Sequence, residues 1–274
     1  MGYCEYINEI WERKTSLLCF GMDPVVERMK IDTGKNLSDE IFKYFSSIMK
    51  EIILKITAVK PNIAFYLQYG KDGMDALVRL VKEAKNNELP VILDGKFGDI
   101  GRTSEAYARF AFEVVGADAV TINPYMGYDS IKPFLNYKDK GMYILALTSN
   151  PTAGDFQYLA LEDGKYLYDR VIEKILNWNE GVNSIGAVVG ATQGEIKIII
   201  ERLKKSVQIP LLIPGVGAQG GSYKQIDGIL NDTKYKKGIV RINSSSAISY
   251  AHEKFKGFSY TEAAYLAVEN ILKT

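Results

Sequence analysis

The chain has 274 residues, 47% of them hydrophobic and 24% charged, with a formal net charge of +1. This composition supports a large core within one domain, 1–274, and excludes a disordered chain. The near-neutral charge gives no electrostatic case for nucleic acid or an anionic membrane as the main partner. Two cysteines, Cys4 and Cys19, offer neither a disulfide framework nor a metal-ligand spacing, which points to a reduced, cytoplasmic setting. One histidine, His252, leaves little room for histidine triads or multi-histidine metal sites. The N-terminus carries Glu5, Glu9 and Glu12 where a signal peptide needs a basic and then an apolar region. No apolar run of about 18 residues suggests a membrane span.

In chain order, residues 3 to 14 read as a short amphipathic helix, a lid for the closed end of the fold. Leu17 to Phe20 is a first strand, ending in Gly21-Met22-Asp23-Pro24, and a helix follows from about Ser38 to Ile56. Ala58 to Asn62 is a second strand, Lys71 to Asn87 a helix, and Val91 to Lys96 a third strand. Thr103 to Val115 reads as helix, Ala119 to Asn123 as strand four, Tyr128 to Tyr137 as helix, and Tyr143 to Leu147 as strand five. A long connection leads to helix Tyr166 to Asn179. Strands six (Ile185 to Val189), seven (Leu211 to Pro214) and eight (Ile239 to Asn243) precede helices 195–205, 222–230 and 260–272. Eight alternating strand–helix units predict parallel strands closed into a (β/α)8 TIM barrel. The first strand–helix turn lacks a Gly-x-Gly-x-x-Gly fingerprint, which counts against a dinucleotide fold.

In such a barrel, catalytic groups collect at the C-terminal strand ends. Asp23 ends strand one, Lys60 strand two, and Asp94 and Lys96 strand three, with Asp99 just beyond. Asp94 and Lys96 are two residues apart and face the same way. The predicted order around the mouth is carboxylate, ammonium, carboxylate, ammonium, in which four buried charges compensate one another. A solvated rim, with Asp99 or Thr103 merely starting the next helix, is the bland alternative. Buried charge networks are poor stabilisers and cluster at functional sites, which favours chemistry.

After strand seven stands Pro214-Gly215-Val216-Gly217-Ala218-Gln219-Gly220-Gly221. Glycines let a backbone approach a ligand closely and leave amides to face an anion, and barrels bind phosphate at this position. After strand five, Thr148-Ser149-Asn150-Pro151 reads equally as a turn or as polar groups for a ligand ring. The length of that connection favours a loop covering the site.

Asp94-Gly95-Lys96-Phe97-Gly98-Asp99-Ile100, with Thr103 beyond, resembles the signature of the orotidine 5′-phosphate decarboxylase family. Thr148 to Pro151, Val189 to Thr192 and Pro214 to Gly221 resemble further core segments of one branch of that family. The resemblance implies conversion of orotidine 5′-phosphate to uridine 5′-phosphate and CO2 in pyrimidine biosynthesis, without metal or organic cofactor. It implies that Lys96 protonates C6 and that Asp94 lies beside the substrate carboxylate and holds Lys96. Asp23 and Lys60 would hold the ribose hydroxyls, Ser149 would meet the pyrimidine edge, and Gln219 would bridge base and phosphate. Pro214, Gly215 and Gly220 belong to the implied phosphate loop. Asp99 and Thr103 would reach a second subunit's site, which implies a homodimer.

One segment departs from the pattern. Asn243-Ser244-Ser245-Ser246-Ala247-Ile248 follows strand eight, with Ser246 where the family usually places a phosphate-gripping arginine. Serine keeps a donor but loses the bidentate charge. Loop amides, Ser245 and Ser246, with Arg241 or a loop residue nearby, are then expected to carry the phosphate. Another phosphosugar lyase on the same barrel and a non-catalytic nucleotide-binding barrel are the competing readings. Asp94 and Asp99 beside Lys96 oppose the lowered pKa of an aldolase lysine.

Overall fold

The computed structural model describes residues 1–274 apart from Thr33, Thr192, Gln193, Ala218 and Gln219. Eight parallel strands form the centre: β1 (Leu18–Gly21), β2 (Ala58–Lys60), β3 (Ile92–Phe97) and β4 (Ala119–Ile122), then β5 (Gly141–Leu147), β6 (Ile185–Val189), β7 (Leu211–Pro214) and β8 (Val240–Ser244). Their order is β2-β1-β8-β7-β6-β5-β4-β3. Single-residue bridges Val59–Val91 and Asn62–Asp94 join β2 to β3 and complete the ring. This is the expected (β/α)8 barrel.

Parallel strands covered on both faces read as continuous apolar runs, and all of Ile185-Gly186-Ala187-Val188-Val189 is buried. Amphipathic helices supply the outer layer. In α2 (Leu37–Ile52), Ile41, Phe45, Ile48 and Ile52 face the core, and the Asn36 side chain caps the start by accepting from the Asp39 amide. The five-residue α3 (Ile63–Leu67) and α4 (Gly70–Asn86) follow β2, and α5 (Gly101–Arg109) follows β3. After β5 to β7 come α6 (Leu167–Trp178), α7 (Ile196–Lys205) and α8 (Tyr223–Thr233). After β8 come the one-turn α9 (Ser246–Ser249) and α10 (Tyr260–Lys273).

Two expected helices differ. The stretch 128–137 is no α-helix: Pro124–Ser130 and Lys132–Asn136 are 3-10 segments, and Gly127 breaks the first at φ 75°. Pro133 lacks the amide that a continuing helix needs. The helix expected over 103–115 starts at Gly101 and loosens into a π-turn over Phe110–Val114.

Helix α1 (Tyr3–Lys14) lies across the N-terminal end of the barrel, as its amphipathic pattern predicts. Tyr3 and Tyr143 share a hydrogen bond of 3.0 Å between hydroxyls. Arg241, fully buried at the start of β8, donates to Ile7 O at 2.6 Å, Val240 O at 2.8 Å and Gly238 O at 3.0 Å. Arg241 therefore fastens α1 to the barrel floor and is not a phosphate ligand at the mouth. It sits at the wrong end of β8, and its Nη1 and Nη2 groups bond backbone carbonyls. Burial lowers its pKa.

Candidate active site

At the C-terminal strand ends, three predicted charges meet directly. Lys60 Nζ donates to Asp94 Oδ2 at 2.7 Å, and Lys96 Nζ donates to Asp94 Oδ1 at 2.7 Å. The Lys60 and Asp94 side chains are 6% and 8% exposed, whereas that of Lys96 is 48% exposed. Lys60 is thus the enclosed ammonium of the array, and Lys96 is the more exposed one. Burial would raise the Asp94 carboxyl, but the two lysines outweigh it and hold it well below the ordinary carboxylate range. Burial likewise opposes the Lys60 ammonium, yet Asp94 and then Asp23 raise its pKa above the usual lysine value.

The backbone that makes this array is irregular. Along β3 and β4 the pairing passes from Leu93–Val120 to Phe97–Ile122, so Asp94-Gly95-Lys96 forms a bulge. A Cβ at Gly95 would collide with the Phe97 ring, which is why the middle residue is glycine. Lys96 takes a left-handed backbone at φ 46°, unusual for a residue with a side chain. Its amide donates to Thr121 Oγ1 at 2.9 Å, and that hydroxyl donates to Asp94 Oδ1 at 2.8 Å. Thr121 is not among the site residues expected from the sequence. Its signal was a lone hydroxyl in the apolar strand Ala119-Val120-Thr121-Ile122.

Asp23 stands one step away. Its Oδ1 accepts from the Asn62 amide at 3.1 Å, and its Oδ2 accepts from Ser245 Oγ at 2.5 Å. It acts on Lys60 through space, with no ion pair between them among the described residues. Gly21 permits this arrangement, because a side chain there would strike the Ser245 Cβ. Asn243 Oδ1 and Ser244 Oγ, at the end of β8, are buried and have no hydrogen-bond partner among the described residues.

Asp99 and Thr103 do not join the array. Asp99 is partly exposed and its Oδ1 accepts only from the Ile100 amide, at 2.8 Å, among the described residues; Thr103 is exposed on α5. Ser149 follows β5 and is half-buried. Its neighbour Asn150 is engaged in the turn, bonded to Thr148 Oγ1 at 2.6 Å and to Thr152 Oγ1 at 3.2 Å. Gln157 fastens the loop back, accepting from the Thr148 amide at 2.8 Å. Beside it a cleft of about 500 Å³ is lined by Asn123, Tyr125, Leu145, Phe156 and Tyr168.

The glycine loop folds back on itself. Pro214 ends β7, and positive φ values at Gly215, Gly217 and Gly220 curl the chain onto itself. The Gly217 amide donates to Gly221 O at 3.3 Å, Gly220 to Gly217 O at 3.2 Å, and Gly221 to Gly215 O at 3.0 Å. These three amides bond within the turn. Gln219 lies outside the described residues. Ser246 opens α9 and faces a second cleft of about 440 Å³ shared with Gly217, Arg28, Tyr250 and Lys254. Arg28 is tied to Glu253 at 2.6 Å and lies over the Tyr250 ring. Lys254 has no ion pair among the described residues.

Among the described residues no group of three or more His, Cys, Asp or Glu could hold a metal ion, and no helix is long and apolar enough to cross a membrane. The fold and the array define a (β/α)8-barrel enzyme whose site is built from lysines around one carboxylate. The model of the orotidine 5′-phosphate decarboxylase / HUMPS family matches residues 16–255, and the chain belongs to that family. It is 40% identical over 255 residues to orotidine 5′-phosphate decarboxylase of Dechloromonas aromatica, covering 92% of this chain and 91% of that protein. The Cupriavidus necator protein of the same name is 41% identical over 256 residues, 92% of this chain and 90% of its own. Among solved structures, UMP synthase of Leishmania donovani superposes with a TM-score of 0.79 at 32% identity. This chain is 99% covered in that match and spans 56% of that longer protein.

Proposed function

We propose that this chain, acting over 1–274 as one catalytic domain, converts orotidine 5′-phosphate to uridine 5′-phosphate and CO2. The observation that carries this reading is the Lys60–Asp94–Lys96 array at the strand ends, with Lys96 the exposed member. The C6–carboxylate bond breaks, CO2 leaves, and the electron pair remains on C6. Lys96 Nζ gives a proton to C6 and regains one from solvent. A fixed ammonium stabilises the developing carbanion without reorganising and then supplies the proton. Asp94, kept ionised by its partners, faces the substrate carboxylate and holds Lys96. Repulsion between the two carboxylates adds to the ground-state energy. The reading calls for neither metal nor organic cofactor.

Asp23 and Lys60 serve the ribose hydroxyls in this proposal, and Ser149 the pyrimidine edge. The phosphate lies toward Gly215, Gly220, Ser245 and Ser246, with Gln219 between it and the base. Lys254, without an ion pair among the described residues, lines the same cleft as Ser246. Asp99 and Thr103 complete the site of a second copy in a homodimer. Their outward placement, beside the exposed Ile100 and Tyr107, supports this role. A cytoplasmic location accompanies the reading, in keeping with free thiols at Cys4 and Cys19.

The test is the absorbance change on adding orotidine 5′-phosphate, with and without EDTA, for the native chain and for Lys96→Ala. Loss of substrate that resists EDTA and disappears in Lys96→Ala supports the proposal. Nucleotide binding without turnover by the native chain overturns it.

A further inference from the structure

We infer that Thr121 is a positioning residue for the lysine array, a role that rests on the proposed chemistry for its kinetic consequence. A backbone N–H can only donate and an ionised carboxylate can only accept. The direction of both hydrogen bonds at Thr121 Oγ1 is therefore fixed: Lys96 N–H gives to it at 2.9 Å, and it gives to Asp94 Oδ1 at 2.8 Å. Thr121 is 1% exposed, so neither bond has water in reserve.

The two bonds do separate things. The first occupies the Lys96 amide inside the bulge, where the regular β3–β4 ladder is interrupted between Leu93 and Phe97. A side-chain oxygen takes the place of the missing backbone acceptor and supports the left-handed turn at Lys96. The second gives Asp94 Oδ1 a neutral donor beside the Lys96 ammonium, while Lys60 occupies Oδ2. With three donors the carboxylate plane is set, and with it the point from which Lys96 reaches outward. One hydroxyl thus ties the bulge backbone to the carboxylate that the bulge presents.

Thr121→Val keeps the shape and the strand preference of the side chain and removes only the hydroxyl. It leaves the Lys96 amide without a buried acceptor. The expected result is a kcat lower by about 10- to 100-fold, the span of one hydrogen bond to a charged group, with KM changed less than about threefold. Thr121→Ser restores kcat. Amide hydrogen exchange at Lys96 is a readout independent of turnover: slow in the native chain and in Thr121→Ser, fast in Thr121→Val. Should the valine variant not fold, Thr121→Ser against Thr121→Ala makes the same comparison.

An unchanged kcat and unchanged exchange on losing the hydroxyl overturn the inference. So does a serine variant as impaired as the valine one, which would assign the effect to methyl packing. If the native chain does not turn over orotidine 5′-phosphate, the proposed function fails, and the exchange measurement alone decides the role of Thr121.

Discussion

Lys60 and Asp94 are bonded at 2.7 Å from neighbouring strands, and both side chains are almost wholly removed from water. Such a pair is costly to desolvate and adds little net stability relative to apolar residues, but losing one member leaves a buried charge exposed to its own desolvation. The pair holds Asp94 ionised and turned so that Lys96, on its other oxygen, faces outward.

Lys60→Met should destabilise the barrel by about 3 kcal/mol, because Asp94 then keeps a single, half-exposed ammonium partner. Adding Asp94→Asn should recover much of that loss, since no uncompensated carboxylate remains. Urea denaturation of the two variants checks this, and an equal loss in both would show that packing, not charge, is at stake.

The pH dependence follows from Asp94. Its folded pKa is depressed, so its contribution to stability is fully present above the unfolded value of about 3.9 and fades as pH falls toward the folded one. The unfolding midpoint should therefore owe no slope between pH 5 and 7 to this group, and its share of the loss should begin below about pH 4. In Lys60→Met the folded pKa rises toward the unfolded one and the Asp94 contribution shrinks. Comparing denaturation midpoints of the two proteins from pH 3 to 7 measures that difference. Identical acid limbs would contradict the assignment.

Ser246→Arg should lower KM for orotidine 5′-phosphate by roughly tenfold with kcat little changed, since a guanidinium adds a charge-assisted contact to phosphate. Lys254→Ala should raise KM for the same substrate and leave orotidine without phosphate unaffected. Steady-state kinetics with both compounds separates phosphate binding from base binding. Equal effects on the two would remove Lys254 from the phosphate end.

If Asp99 completes a partner's site, Lys96→Ala and Asp99→Asn should each have little activity alone. Mixed under conditions that exchange subunits, they should regain activity, because each mixed dimer carries one site with both native residues. A mixture no better than its parts would place Asp99 outside any shared site.

Much of the site was legible because it sits on strand ends, where alternation of side chains fixes which residues face together. Asp94 and Lys96 meet as their spacing predicts, although through a bulge and not a regular strand, and Lys60 meets them from its place at the end of β2. The departures have local causes. Pro133 and Gly127 turned an expected helix into 3-10 segments. In the glycine loop, the same freedom that admits a ligand also lets Gly217, Gly220 and Gly221 bond within the turn. Thr121 escaped notice because its role depends on a bulge in the neighbouring strand, and a pairing irregularity has no signature in the strand that answers it. Arg241 is near Ser246 in the chain, but Ile242, Asn243 and Ser244 of β8 separate it from the mouth and leave it at the barrel floor.

The ring closes between β2 and β3 by two single bridges, while every other neighbouring pair forms a ladder of at least two. One of these bridges is made by the Asp94 backbone, whose amide donates to Pro61 O at 2.9 Å. The ion pair between Lys60 and Asp94 spans the same seam, so the site doubles as the clasp of the barrel. Strain on that clasp would reach the lysine–carboxylate geometry before it reached the rest of the core.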